Sequence, residues 1–223
     1  MNISKDASVG SLATRYPRAT RVFTRHGIDF CCGGEKPLAQ ACAERDIDAA
    51  TVVEELEQDI GSSSDAETRW DQEPLPDLID HILATYHEPL RQDLPHLETL
   101  ARKVKEVHGD KDPERFEELL ATLLAIRADI EQHLPKEEQI LFPMIKAGQG
   151  AMAEGPMHVM EAEHEQLGEM LRKVRGLTND FIVPEEACNT WRALWVGLED
   201  LERALHEHIH LENNILHPRA RTS

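Results

Sequence analysis

Two stretches of this chain carry a histidine and a glutamate four residues apart inside otherwise apolar stripes: His133 with Glu137, and His208 with Glu212. Residues four apart in a helix stack on one face, so each pair presents an imidazole and a carboxylate to the same point. The stripe around the first pair runs Phe116, Leu119, Leu123, Ile126, Ile130, His133, Glu137, Ile140, Met144, in steps of three and four. Around the second it runs Leu194, Leu198, Leu201, Leu205, His208, Glu212, Ile215. This is the core-facing pattern of a bundle helix, with polar groups where apolar residues belong.

The pattern is an internal repeat. Ile140-Leu141-Phe142-Pro143 after the first pair matches Ile215-Leu216-His217-Pro218 after the second, and upstream His87-Glu88-x-Leu90 matches His164-Glu165-x-Leu167. His87 precedes His133 by 46 positions and His164 precedes His208 by 44. Each half therefore holds a helix with one inward histidine, then a helix with His-x-x-x-Glu. Two such hairpins paired about a pseudo-twofold axis would bring together His87, His133, Glu137, His164, His208 and Glu212. A single core histidine is more often a hydrogen-bonded structural residue than a ligand. Burying four imidazoles and two carboxylates at one level without a cation is costly, and that favours metal.

The remaining histidines do not fit. His81 and His158 lie six positions before a ligand candidate, about 240° around the helix. His206 and His210 fall on the sides of His208, and His26, His96, His108 and His217 lack a matching carboxylate and read as surface or structural. Mixed imidazole and carboxylate donors without thiolate argue against a sulfur-type zinc site. A dinuclear carboxylate site in a helix bundle points first to iron and then to manganese. The expectation is two non-haem iron ions, bridged by the two carboxylates and an oxo or hydroxo group, each ion keeping an open position.

Positioning these residues requires an all-α fold. Four long helical patterns are expected over 75–107, 113–146, 156–176 and 184–217, separated by breaks with Gly, Asn or Asp and a Pro near the next start. Such helices with short connections pack as an up-down-up-down four-helix bundle. Pro135 and Pro89 are expected to kink the first hairpin near its ligands. Residues 61–74 read as a linker. Before it, residues 1–60 form a small helical N-terminal domain that ends in an amphipathic run over 48–60.

The chain has 223 residues, a formal net charge of -18 and 4% aromatic residues. Such a surface repels phosphate backbones and anionic membranes. No apolar run approaches the roughly 20 residues that span a bilayer, and no signal-peptide pattern opens the sequence. The expectation is a cytoplasmic protein with neither nucleic acid nor membrane as partner.

Four cysteines, Cys31, Cys32, Cys42 and Cys188, form no C-x-x-C pair, so a disulfide framework is not expected. Cys31-Cys32-Gly33-Gly34 reads as a redox or iron-transfer pair, with Arg25, His26 and Lys36 near in sequence to lower a thiol pKa. The plainer reading is two cysteines packed as small hydrophobes. Glu163, next to His164, lines an access path or relays protons, or else is a solvated flank.

The bundle half resembles a hemerythrin-like domain, and nearly the whole chain resembles the repair of iron centres family. Three stretches carry the resemblance: Asp29-Phe30-Cys31-Cys32-Gly33-Gly34, Lys136-Glu137-Glu138-Gln139-Ile140-Leu141-Phe142-Pro143, and Leu211-Glu212-Asn213-Asn214-Ile215-Leu216. The resemblance implies a non-haem di-iron centre on the six residues named above. It also implies a cytoplasmic role in restoring iron–sulfur clusters damaged by nitric oxide or peroxide, reactivity with nitric oxide, and a dimer. Oxygen-carrying hemerythrins resemble the site but use a further histidine where this chain has Gly168, which fits a more labile iron. Three readings follow: a repair protein acting on damaged or apo iron–sulfur proteins, a di-iron nitric oxide reductase, and an oxygen or iron sensor or store. Catalytic nitrous oxide formation singles out the second, iron transfer to an apo-cluster protein the first, and reversible ligand binding the third.

Overall fold

The computed structural model describes residues 3–61 and 68–223, and all regular structure among them is helical. The chain divides into two compact units. One comprises Met1–Asp80, Ile145–Glu154 and His206–Ser223, the other His81–Met144 and Gly155–Leu205. Part of the expected linker, 62–67, lies outside the described residues.

In the first unit, helices α1 (Val9–Arg15), α2 (Ala19–Arg25), α3 (Leu38–Ala43) and α4 (Ala49–Gly61) are short. The Ser8 hydroxyl caps α1 by accepting the Ser11 N–H at 3.3 Å. These helices close over one apolar cluster that includes Val9, Leu12, Val22, Phe23, Phe30, Leu38, Val52 and Leu56. Fully burying a side chain of this size contributes about 1.5–3 kcal/mol, which is what lets helices of one to two turns persist. Residues 68–74 are tied to the chain's last helix, where Arg219 donates to the Trp70 carbonyl at 2.7 Å and the Glu73 carbonyl at 2.6 Å.

The long helices are α5 (Leu75–Ile82) continuing into α6 (Glu88–His108), α7 (Pro113–Lys136) continuing into α8 (Phe142–Lys146), α9 (Glu154–Leu177), and α10 (Asn189–Leu211) continuing into α11 (His217–Ala220). Their directions in the second unit follow from contacts at nearly constant sums of residue numbers. Glu98 meets Arg127 at 2.6 Å and Lys105 pairs with Glu117, so α6 and α7 are antiparallel. Glu118 meets Lys173 at 2.9 Å and His133 meets His164 at 3.1 Å, so α7 and α9 are antiparallel. His108 packs on Trp191 with ring centroids 5.0 Å apart, and a Cβ at Gly197 would press on Leu97, so α6 and α10 are antiparallel as well. This is the up-down-up-down bundle. Leu94, Leu97, Leu119, Leu123, Ile126, Leu171, Leu194, Trp195 and Leu198 are among its buried residues.

The ends are set locally. The Asp112 carboxylate accepts the Arg115 N–H at the start of α7, with Pro113 in the first helical position. After α9, Asn179, Asp180 and Phe181 take φ of 52°, 54° and 58°. The buried Thr178 carbonyl of that turn accepts the Trp195 indole N–H at 3.2 Å. Helix α10 starts at Asn189 rather than near Pro184, because Arg192 donates to the Ala187 and Glu185 carbonyls and holds 184–188 as a turn.

Candidate metal centre

Three of the helices widen where a ligand candidate sits. Leu83–His87, Glu137–Leu141 and Glu212–Leu216 are π-helical turns. In each, the residue after the turn donates its N–H five positions back: Glu88 to Leu83, Phe142 to Glu137, His217 to Glu212. The next residue in each case is proline: Pro89, Pro143 and Pro218. Proline lacks an N–H and its ring collides with the carbonyl four residues back; widening the turn by one residue relieves the collision. π turns of this kind recur at functional sites.

The widening corrects two expectations. Pro135 lies within α7, and the α pattern breaks ahead of Pro143 instead. The inward stripe also shifts by one residue beyond Glu137. Ile140 is 53% exposed, while Leu141, Phe142 and Ile145 are buried in place of Ile140 and Met144. A stripe counted at 3.6 residues per turn cannot anticipate an inserted residue.

In the second unit, four of the expected ligands meet, all buried. His133 Nε2 lies 3.1 Å from His164 Nε2 and 3.1 Å from Glu137 Oε1, and His87 Nε2 lies 3.4 Å from Glu137 Oε2. In the first unit, His208 Nε2 lies 3.0 Å from Glu212 Oε1, again with both side chains buried.

The outer nitrogens of two imidazoles are held by carboxylates. His87 Nδ1 is 2.8 Å from Glu138 Oε1, and Arg91 pairs with the same oxygen. His133 Nδ1 is 2.9 Å from Glu163 Oε2, and Lys136 pairs with the other Glu163 oxygen. Burial pushes the Glu138 carboxyl up, but Arg91 and His87 outweigh it and hold it below the usual carboxylate range. Glu163 behaves alike, with Lys136 and His133 outweighing burial. Two ionised acceptors put the imidazole protons on Nδ1 and leave Nε2 lone pairs pointing inward. Glu163 also lines a cleft of about 90 Å³ with His133, Lys136 and His164.

This donor set fits a metal. Both Glu137 oxygens are buried without a hydrogen-bond partner, a costly state for a carboxylate that a cation would relieve. Two donors about 2.1 Å from one ion at roughly right-angle to tetrahedral geometry stand about 3.0–3.4 Å apart. The four donor–donor distances above lie in that range.

Cys31 and Cys32 occupy a loop of the first unit with Sγ atoms 3.9 Å apart. The Asp29 Oδ1 organises the loop, accepting the N–H groups of Cys31, Cys32 and Gly33 at 3.1, 3.0 and 3.0 Å. Burial raises the Asp29 carboxyl, yet these N–H donors and the Cys31 thiol carry it below its usual value. The expected lowering of a thiol pKa does not hold for Cys31: its hydrogen bond with Cys32, then burial, then Asp29 push it well up. The nearby cations are engaged elsewhere. Arg25 and His26 contact Glu55 at 2.7 and 3.1 Å, and Lys36 pairs with Glu44 at 2.7 Å.

Sequence reasoning missed the residues that hold this loop. Phe30 packs edge-on against His206 and His210, with centroids 6.1 and 5.6 Å away. Burial lowers His210 to about 4, against a hydrogen bond to the Phe30 backbone that raises it. The signal was present: His206, His210 and Asn214 repeat every four residues, offset by two from His208 and Glu212.

A helical bundle whose inward stripes carry buried His/Glu groups able to hold metal ions defines a cation-binding protein of the hemerythrin type. Residues 78–220 match the family described as Hemerythrin HHE cation binding domain, and residues 5–59 match a domain of unknown function, DUF542. The chain is 48% identical over 219 residues, 97% of each chain, to the iron–sulfur cluster repair protein YtfE of Yersinia pseudotuberculosis serotype O:1b, and equally to that of Yersinia pestis strain Pestoides F. The chain thus belongs to the hemerythrin-domain family of YtfE iron–sulfur cluster repair proteins.

Proposed function

We propose that this protein restores damaged iron–sulfur clusters through two non-haem irons held by His87, His133, Glu137, His164, His208 and Glu212, with both glutamates bridging. The observation that carries the reading is the buried Glu137 carboxylate, unpartnered by any hydrogen bond and faced by imidazole Nε2 atoms at 3.1 and 3.4 Å. The internal repeat supports adding His208 and Glu212, whose mutual contact has the same spacing. Bound there, a pair of irons supplies one-electron chemistry and open positions for small ligands such as nitric oxide or dioxygen. The chain's own residues orient the imidazoles and exclude water. Glu138 and Glu163 fix the Nδ1 protons, and the cleft beside Glu163, His133 and His164 gives small molecules access to the site.

The names of the relatives favour repair over the reductase and sensor readings. Damaged or apo iron–sulfur proteins in the cytoplasm are then the partners, and a homodimer is the assembly we infer. Among the described residues no helix is long and apolar enough to cross a membrane. Residues 1–60 act as an accessory domain with the Cys31–Cys32 pair serving transfer, and 75–223 as the iron domain joined by 61–74, a division in keeping with the matched ranges.

Elemental analysis of anaerobically purified protein, with electron paramagnetic resonance after half-reduction, tests the centre. About two irons per chain and a mixed-valence signal lost in Glu137→Leu and Glu212→Leu are expected; zinc, manganese or no metal overturns it. Reactivation of a nitric-oxide-treated iron–sulfur enzyme tests repair. Cys31→Ser with Cys32→Ser should keep the iron and weaken that reactivation.

A further inference from the structure

The helix segment that carries His208 and Glu212 has a second working face. Two residues along an α-helix is about 200° of rotation, so His206 and His210 lie opposite His208, and Asn214 extends their row into the π turn that contains Glu212. All three engage the loop of the adjacent cysteines. The two imidazoles flank the Phe30 ring. The Asn214 amide donates to the Phe30 carbonyl at 3.3 Å and the Cys31 carbonyl at 3.1 Å. The other end of that amide sits over two glycines: a Cβ at Gly10 would stand 2.5 Å from Asn214 Oδ1, and one at Gly34 closer still. The glycines are themselves joined, Gly10 N–H to Gly34 carbonyl at 2.8 Å. Only residues without a side chain admit the amide this closely, so Asn214 is seated between α1 and the cysteine loop. Cys31, whose carbonyl it holds, is 3% exposed.

We propose that Asn214 is a latch that makes the accessibility of Cys31 and Cys32 depend on whether Glu212 is held by metal. The inference rests on the two-iron reading above. With Glu212 fixed by a cation, the π turn is fixed, and the amide two residues on stays seated on the Phe30 and Cys31 carbonyls. Released, the carboxylate no longer restrains a turn already short of α-helical hydrogen bonding. Asn214 then withdraws and the thiol pair opens to thiol-directed electrophiles. The pair thereby reports iron loss from the site.

The test is the alkylation rate of Cys31 and Cys32 by iodoacetamide, read by peptide mass spectrometry on the full chain, iron-loaded and iron-stripped. The exposed Cys188 serves as internal standard. In the unsubstituted protein the loaded form should label about ten-fold more slowly, the scale set by two amide–carbonyl hydrogen bonds. Asn214→Ala should remove the difference, with the loaded form labelling as fast as the stripped one at unchanged iron content. Gly34→Ala, which displaces the amide from the other side, should do the same and guards against a misfolded first variant. Equal rates in the two iron states of a protein that binds iron, or protection that survives Asn214→Ala, overturn the latch alone. Failure of the unsubstituted protein to take up iron, seen by elemental analysis, overturns the metal reading and the latch with it.

Discussion

Glu138 is not a ligand candidate, yet its removal should loosen iron. Its Oε1 takes the His87 Nδ1 proton at 2.8 Å, and the His87 side chain is 0% exposed. In Glu138→Ala the buried N–H is left without an acceptor, at a cost of about 1–3 kcal/mol, and the ring loses the contact that fixes its rotation. Outer-shell partners of this kind are worth roughly 10–100-fold in metal affinity. Glu138→Ala is expected near the top of that range. Glu138→Gln, which keeps an acceptor but loses the charge, is expected near ten-fold. The equivalent Glu163→Ala should cost less, because His133 is 8% exposed beside a cleft that admits water in place of the carboxylate. The assay is iron retention against a competing chelator, with helicity checked by circular dichroism. Unchanged retention in Glu138→Ala, or a larger loss in Glu163→Ala, would refute the reasoning that buried Nδ1 partners hold these imidazoles.

Other consequences follow from the same contacts. Asp29→Ala should destabilise the first unit by about 3 kcal/mol, and Asp29→Asn, which keeps an oxygen for the three N–H groups, by about 1 kcal/mol. Because folding lowers the Asp29 carboxyl, its contribution is complete above its unfolded value near 4 and is lost as pH falls through the lower folded value. The Asp29→Asn difference in urea stability should therefore shrink only in strong acid. Pro143→Ala supplies an N–H that draws the π turn toward α-helix and swings Phe142, which packs on His87 at 5.7 Å, by about 100°. Iron retention should fall while helicity holds. Arg175→Met leaves Glu202, 2% exposed, without its partner and should cost about 3–5 kcal/mol in chemical denaturation, much of it recovered in Arg175→Met with Glu202→Met.

What could be read from the sequence depended on whether the signal lay within one helix. A histidine and a glutamate in an apolar stripe stand out because nothing else explains them there, and the repeat doubled the evidence. Beyond Glu137 the same counting failed, burying Ile140 on paper and Leu141 in fact, because a constant period has no place for an inserted residue. Pro143 was the visible sign of it. Contacts between distant segments were out of reach. Nothing near His87 in sequence announces Glu138, and the row His206, His210, Asn214 looked like the flank of a ligand helix until Phe30 was seen against it. The environment of Cys31 was misjudged for a related reason. Cations close in sequence had carboxylate partners of their own, and the groups that do reach the thiol, Cys32 and Asp29, push it the other way.

The π turns also govern how the gene can change in length. Each holds one residue more than an α-helix uses for the same turn. Losing a single codon within 138–141 would leave a continuous, well-bonded helix, but would rotate everything beyond it by about 100°. Ile140 and Met144 would regain the inward face that Leu141 and Ile145 now hold. The same holds for 84–87 and 213–216. One-residue deletions at these three places are therefore expected to yield stable helical proteins that no longer hold metal, a class of loss that substitution alone seldom produces.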